Sequence, residues 1–101
     1  MARLGLIAQK IRSKNAGPFW LTIDIFCGAG GQYPRINAGL QTSMVAGCFD
    51  TNPDLIKRFE IPDLQVIKFS LPRPTIQGDT KDRDMHGASW AVLVEDIEIV
   101  A

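Results

Sequence analysis

Apolar and polar positions change their period several times along this chain, and each change predicts an element. Leu4, Ile7, Ala8 and Ile11 recur at helical spacing, so residues 3–13 are expected to form a short amphipathic helix or helical arm. The arm should stop before Gly17-Pro18, because proline fixes its own φ and pushes its predecessor out of the helical region. Phe19, Leu21, Ile23 and Ile25 then alternate with Trp20, Thr22, Asp24 and Phe26, which predicts a strand. Both sets are largely apolar, so this strand is expected to be central and covered on both faces. Gly28 to Gly31 end it, and Tyr33 to Phe49 read as one helix or two short ones. After the turn signal Asp50-Thr51-Asn52-Pro53, the runs Leu55 to Ile61 and Gln65 to Leu71 are joined by Pro62-Asp63-Leu64, the spacing of a hairpin. Pro72 and Pro74 close the second run, Gly78 to Asp84 form a polar loop, and Val92 to Val100 predict a last strand.

Strand, helix, hairpin, loop and strand give an α+β class: a ferredoxin-like α/β sandwich, β-α-β-β-(α)-β, with an N-terminal helical arm. Residues 1–101 are read as a single domain. An open sheet of about four strands leaves a face or an edge that needs cover, which points to a homo-oligomer or a larger partner.

Charge changes the picture chiefly by what it excludes. Eleven basic residues balance eleven acidic ones, so the chain lacks the surplus that nucleic acid or an anionic membrane requires, and neither is expected as a partner. Met1 to Ile11 lack the unbroken apolar run of a secretory signal, and nothing approaches a membrane span of about 20 apolar residues. The expected location is cytoplasmic, where Cys27 and Cys48 stay as thiols. With His86 they match no zinc spacing, so no metal or cofactor is assigned and both cysteines read as small hydrophobes.

Asp24-Ile25-Phe26-Cys27-Gly28-Ala29-Gly30-Gly31 resembles the first motif of the DNA cytosine-5 methyltransferases, where a strand runs into a glycine loop that cradles S-adenosylmethionine. The rest of that machinery is missing. Neither Cys27 nor Cys48 follows a proline, and a Rossmann-like transferase needs more β-α units than this chain can hold. The loop is read as a turn after a central strand, and an S-adenosylmethionine-binding fragment is the least favoured function.

Candidate chemistry falls in two places. Arg12, Ser13, Lys14 and Asn15, with Arg73 held between two prolines, could bind an anion, the arginines through their planar forks. The structural alternatives are a solvated helix C-terminus for the first group and a salt bridge from Arg73 to Asp79 or Asp82. Asp79, Asp84 and His86, on a loop with Asp82, could supply an acid and a base, the alternative being a solvated acidic loop. Trp20 and Trp90 read first as core or interface residues.

A broader likeness covers nearly the whole chain. Ile11-Arg12-Ser13-Lys14-Asn15-Ala16-Gly17-Pro18-Phe19, with Leu21-Thr22 and Asp24-Ile25, resembles the opening signature of the small AtuA-associated proteins, domain of unknown function 4387. Tyr33, Arg35-Ile36, Gly39-Leu40 and Thr42 are similar to the helical segment of that family. Val66-Ile67-Lys68, Pro72-Arg73-Pro74, Gly78-Asp79 and Asp84-Met85-His86-Gly87-Ala88 resemble its second signature. The chain departs from the family at Gly28 to Gly31, where acidic residues are usual, and near Ser89-Trp90, where a glutamine and histidine stretch is usual.

The resemblance implies a fold similar to the ferredoxin-like tail domain of AtuA-like proteins, in which a segment comparable to Arg58-Phe59-Glu60-Ile61-Pro62-Asp63-Leu64 occurs. It also implies association with an AtuA-like protein in organic-acid or acyl-CoA catabolism and brings no established reaction. The leading expectation is an accessory subunit, with a small carboxylate or acyl-CoA as ligand. The alternative is a stand-alone lyase or isomerase acting on such a compound.

Overall fold

The computed structural model describes residues 2–17, 19–73 and 90–99. Its centre is a four-stranded antiparallel sheet with the order β2-β3-β5-β4, in which β2 is Lys10–Asn15, β3 is Trp20–Phe26, β4 is Lys57–Ile61 and β5 is Val66–Pro72. Two short helices, α2 (Gln32–Gly39) and α3 (Thr42–Cys48), connect β3 to β4. Because β5 pairs antiparallel with both, β3 and β4 run parallel on either side of it. The chain is therefore an α+β protein built on an antiparallel sheet with short helices.

Strand parity decides what becomes core. Leu21, Ile23 and Ile25 on β3 face Leu71, Phe69 and Ile67 on β5, and all six are fully buried. The helices add Tyr33, Ile36, Val45, Ala46 and Val94 to the same apolar cluster. Among the described residues every helix contributing to that cluster lies on this one face of the sheet. The alternate residues Trp20, Thr22, Asp24 and Phe26 point to the other face of the sheet, where Thr22 is also buried and Asp24 and Phe26 are half-buried.

The N-terminal segment differs most from its expected form. Residues 3–13 are not one helix but the end of β1 (Ala2–Arg3), the single turn α1 (Leu4–Ile7) and the first part of β2. The spacing of Leu4, Ile7 and Ala8 does seat them on the core, but Lys10 onward alternates, and pairing with β3 along its whole length overrides weak helical propensity. The other end is corrected too. Where a strand over residues 92–100 was expected, the chain forms α4 (Ala91–Glu95) and the two-residue β6 (Glu98–Ile99). β6 pairs with β1 in a separate two-stranded sheet, beside an Arg3–Asp96 ion pair. The edge position next to β3 is therefore filled from the N-terminal side, by β2. The expected hairpin is present: β4 and β5 flank the 3-10 turn Pro62–Leu64, with Gln65 in the left-handed region at φ 57°. Tyr33 to Phe49 form two helices, broken at Leu40-Gln41.

Two side chains tie the helices to the sheet. Arg58, half-buried on edge strand β4, donates to the carbonyl of Leu40 at 2.6 Å and to Asn37 at both its carbonyl (2.9 Å) and Oδ1 (2.8 Å). It thereby caps the C-terminus of α2, where carbonyls lack intrahelical partners and a cation meets the negative end of the dipole. Its guanidinium also lies 5.5 Å from the centre of the Phe69 ring. At the other edge, buried Ser13 Oγ accepts the Ala91 backbone N–H at 2.9 Å, satisfying an orphan donor at the start of α4.

Arg58→Met keeps an aliphatic side chain over Phe69 and removes the helix cap; it should lower unfolding stability by about 1.5–3 kcal/mol, the worth of charged hydrogen bonds. Ser13→Ala should cost about 1 kcal/mol. Urea denaturation followed by circular dichroism measures both, and an unchanged midpoint for Arg58→Met would show that α2 is held without it.

Candidate functional site

Strand register divides the predicted anion-binding set. On β2, Arg12 and Lys14 lie opposite Asp24 and Thr22, whereas Ser13 and Asn15 lie opposite Ile23 and Leu21. Since successive side chains of a strand point to opposite faces, Arg12 and Lys14 belong to the outer face and Ser13 and Asn15 to the helix-covered one. Arg73 follows Pro72, and its backbone N–H donates to the Phe19 carbonyl at 2.8 Å. Its side chain is 7% exposed, with the guanidinium 6.0 Å from the centre of the Trp90 ring. The structure thus brings Ser13, Asn15 and Arg73 to one end of the covered face and holds Arg12 and Lys14 on the opposite side of the sheet.

The inner group is a set of polar fixtures around the start of α4. Ser13 caps Ala91, Arg73 stacks near Trp90, and Trp90 packs against Phe49 with ring centres 6.1 Å apart. Ser13, Asn15 and Arg73 are all engaged in further interactions. A buried guanidinium over an aromatic ring contributes to stability through cation–π attraction, so the inner group holds α4 to the sheet.

The outer face is ordered in rows across the strands. Lys10, Phe26, Val66 and Ile61 form one row; Arg12, Asp24, Lys68 and Phe59 the next; Lys14, Thr22, Ser70 and Lys57 the third; and Trp20 with Pro72 closes the end. Trp20 and Phe59 are 41% and 46% exposed. A shallow depression along β4 is lined by Arg58, Phe59, Glu60, Ile61 and Lys68. Sequence reading treated Trp20 as core or interface and missed Lys57, Phe59 and Lys68. The period-two cations at positions 10, 12 and 14 were the available signal, since a helix would scatter them around its circumference.

The glycine loop between β3 and α2 serves as a turn. Gly28, Gly30 and Gly31 have φ of 75°, 96° and 81°, a region that side chains disfavour, and a Cβ on Gly28 would lie 3.0 Å from the Gln9 Cβ. Cys27, just before it, is buried, and burial pushes its thiol pKa up; Cys48 is also raised, by burial first and then by Asp96. Among the described residues no group of His, Cys, Asp or Glu is placed to hold a metal ion, and no helix is long and apolar enough to cross a membrane. The proposed acid and base, Asp79, Asp84 and His86, lie outside the described residues.

The raised thiol pKa values give a test with a definite sign. A thiol that ionises less readily folded than unfolded favours the folded state below its unfolded pKa of about 8.5, and that contribution is lost as pH rises towards the folded pKa. Cys27 should therefore resist iodoacetamide at pH 8 in the native protein and react on unfolding. Cys27→Ala should flatten the loss of stability above about pH 8.5. Rapid native alkylation at Cys27, mapped by mass spectrometry, would contradict its burial.

Comparison with known proteins gives a family and no activity. No curated protein and no solved structure matches the chain. The profile of one family, described as Domain of unknown function (DUF4387), matches residues 4–98, which takes in every strand of the main sheet and the four α-helices found among the described residues. The chain belongs to the DUF4387 family.

Proposed function

We propose that this domain is a cytoplasmic accessory subunit that works with an AtuA-like protein in organic-acid or acyl-CoA catabolism, docking through the outer face of its sheet. One observation carries the docking reading: among the described residues the helices pack on a single face, leaving Trp20 and Phe59 exposed on the other. A half-exposed tryptophan and phenylalanine on a sheet face are the residue types that anchor protein interfaces. The AtuA-like partner is taken from the sequence resemblance alone.

In this reading a small carboxylate or acyl-CoA is a ligand of the assembled complex. Arg12 and Lys14 on the outer face and Arg73 at the end of the covered face would engage it from different sides of the sheet. We also read the fold as a ferredoxin-like sandwich whose fourth strand is supplied by β2. The parallel pair β3 and β4 flanking β5, with helices on one face, supports that reading.

A tagged pull-down from native lysate, with size-exclusion chromatography of the eluate, should recover an AtuA-like protein in stoichiometric amount, and Trp20→Ala should weaken its retention. A lone homo-oligomer that turns over a carboxylate or acyl-CoA by itself would contradict the proposal. It would move the chemistry to Asp79, Asp84 and His86 as a stand-alone lyase or isomerase.

A further inference from the structure

The neutral composition hides a strongly polarised surface. Lys10, Arg12, Lys14, Lys57 and Lys68 all lie on the outer face of the sheet, and the strand register places only Asp24 among them as a carboxylate. The balancing acids lie elsewhere, on the inner side of β4 (Glu60), in the connections (Asp50, Asp54, Asp63) and around α4 and β6 (Glu95, Asp96, Glu98) among the described residues. The ion pairs among the described residues are Arg3–Asp96 and Arg58–Glu60, so no described carboxylate lies within ion-pair distance of an outer cation. Edge strands commonly carry lysines to block unwanted pairing, which would account for those on β2 and β4. It does not account for Lys68, which lies on the interior strand β5.

We infer that the outer face docks on an acidic protein surface, with Lys14, Lys57 and Lys68 meeting partner carboxylates around the hydroxyl of Ser70, and Trp20 and Phe59 as apolar anchors at the margins. The inference rests on the docking reading above and adds the chemistry of the partner. Strands about 4.8 Å apart and alternate residues about 6.8 Å apart spread these cations over a patch roughly two to three side chains wide, the scale of a protein contact. A second copy of the chain is a poor occupant, because two such faces brought together would oppose cation to cation. A polyphosphate backbone is also disfavoured, since Asp24 occupies the middle of the cationic row between Arg12 and Lys68. An acidic protein surface with one basic residue of its own can satisfy both Asp24 and the surrounding cations.

The test uses defined probes and the full chain. Isotope-labelled protein is titrated by nuclear magnetic resonance with poly-L-glutamate, with a single-stranded RNA of similar charge, and with phosphatidylserine vesicles. Poly-L-glutamate should shift the amides of β2, Lys57 to Phe59 and Lys68 to Ser70, and should bind more weakly at about 200 mM than at about 20 mM salt. The double variant Lys14→Glu and Lys57→Glu should weaken that binding by about tenfold or more. Arg35→Glu, an exposed change on α2 away from this face, should leave it unchanged. Retained amide dispersion checks that the double variant folds, and Lys57→Glu alone should give an intermediate loss.

Tighter binding to RNA or to vesicles, equal weakening by Arg35→Glu, or no shifts on the outer face would each overturn the inference. Failure to recover an AtuA-like protein from lysate is separable from all of these. It would remove that named partner while leaving the acidic complement standing.

Discussion

Everything in this structure depends on the pairing of β3 with β5 in one fixed register. Leu21, Ile23 and Ile25 opposite Leu71, Phe69 and Ile67 make a wholly buried apolar strip. At about 25 cal/mol per Å² of apolar surface buried, side chains of this size each contribute roughly 1.5–3 kcal/mol, and among the described residues no other pair of elements concentrates as many of them. A slip of β5 by one residue would turn Ile67, Phe69 and Leu71 away from the helices and bury Lys68 and Ser70 beneath them. The register is therefore strongly specified, and with it the side of the sheet on which every other residue falls.

That constraint also accounts for the surface. Once the apolar strip is assigned to the helices, β2 and β4 can only follow the parity of their neighbours, which sends Lys10, Arg12 and Lys14 outward with Lys57 and Lys68. The same parity turns Ser13, Asn15 and Arg58 inward, where Ser13 fastens the start of α4 and Arg58 the end of α2. Adjacent residues in one short segment thus have separate tasks, attachment of helices on one side and an electrostatic surface on the other.

The central strand, the hairpin and the two short helices were legible in the sequence because their signals are local: alternation over Phe19 to Phe26, a three-residue connection rich in turn formers, and helix formers broken by glycine. The N-terminal segment was not, because Leu4, Ile7, Ala8 and Ile11 satisfy a helical template while the strand there is stabilised by partners about ten residues downstream, beyond any local window. The same applies to Val92 to Val100, where an apolar run suggested a strand and Ala91–Glu95 form a helical turn that packs Val94 on the core instead. The same strand geometry divides the candidate anion-binding residues. Arg12 to Asn15 looked like one cluster on a helix end, and only the period-two geometry of a strand shows that it is two clusters facing apart.

The most direct test of the two-faced sheet is solvent paramagnetic relaxation of side-chain resonances by a soluble gadolinium chelate. The account predicts strong relaxation of Lys10, Arg12, Lys14, Lys57 and Phe59, with Ser13, Ile23 and Phe69 protected. Relaxation of Ser13 and Ile23 as strong as that of Arg12 and Lys14 would contradict the register, and with it both the core and the docking face.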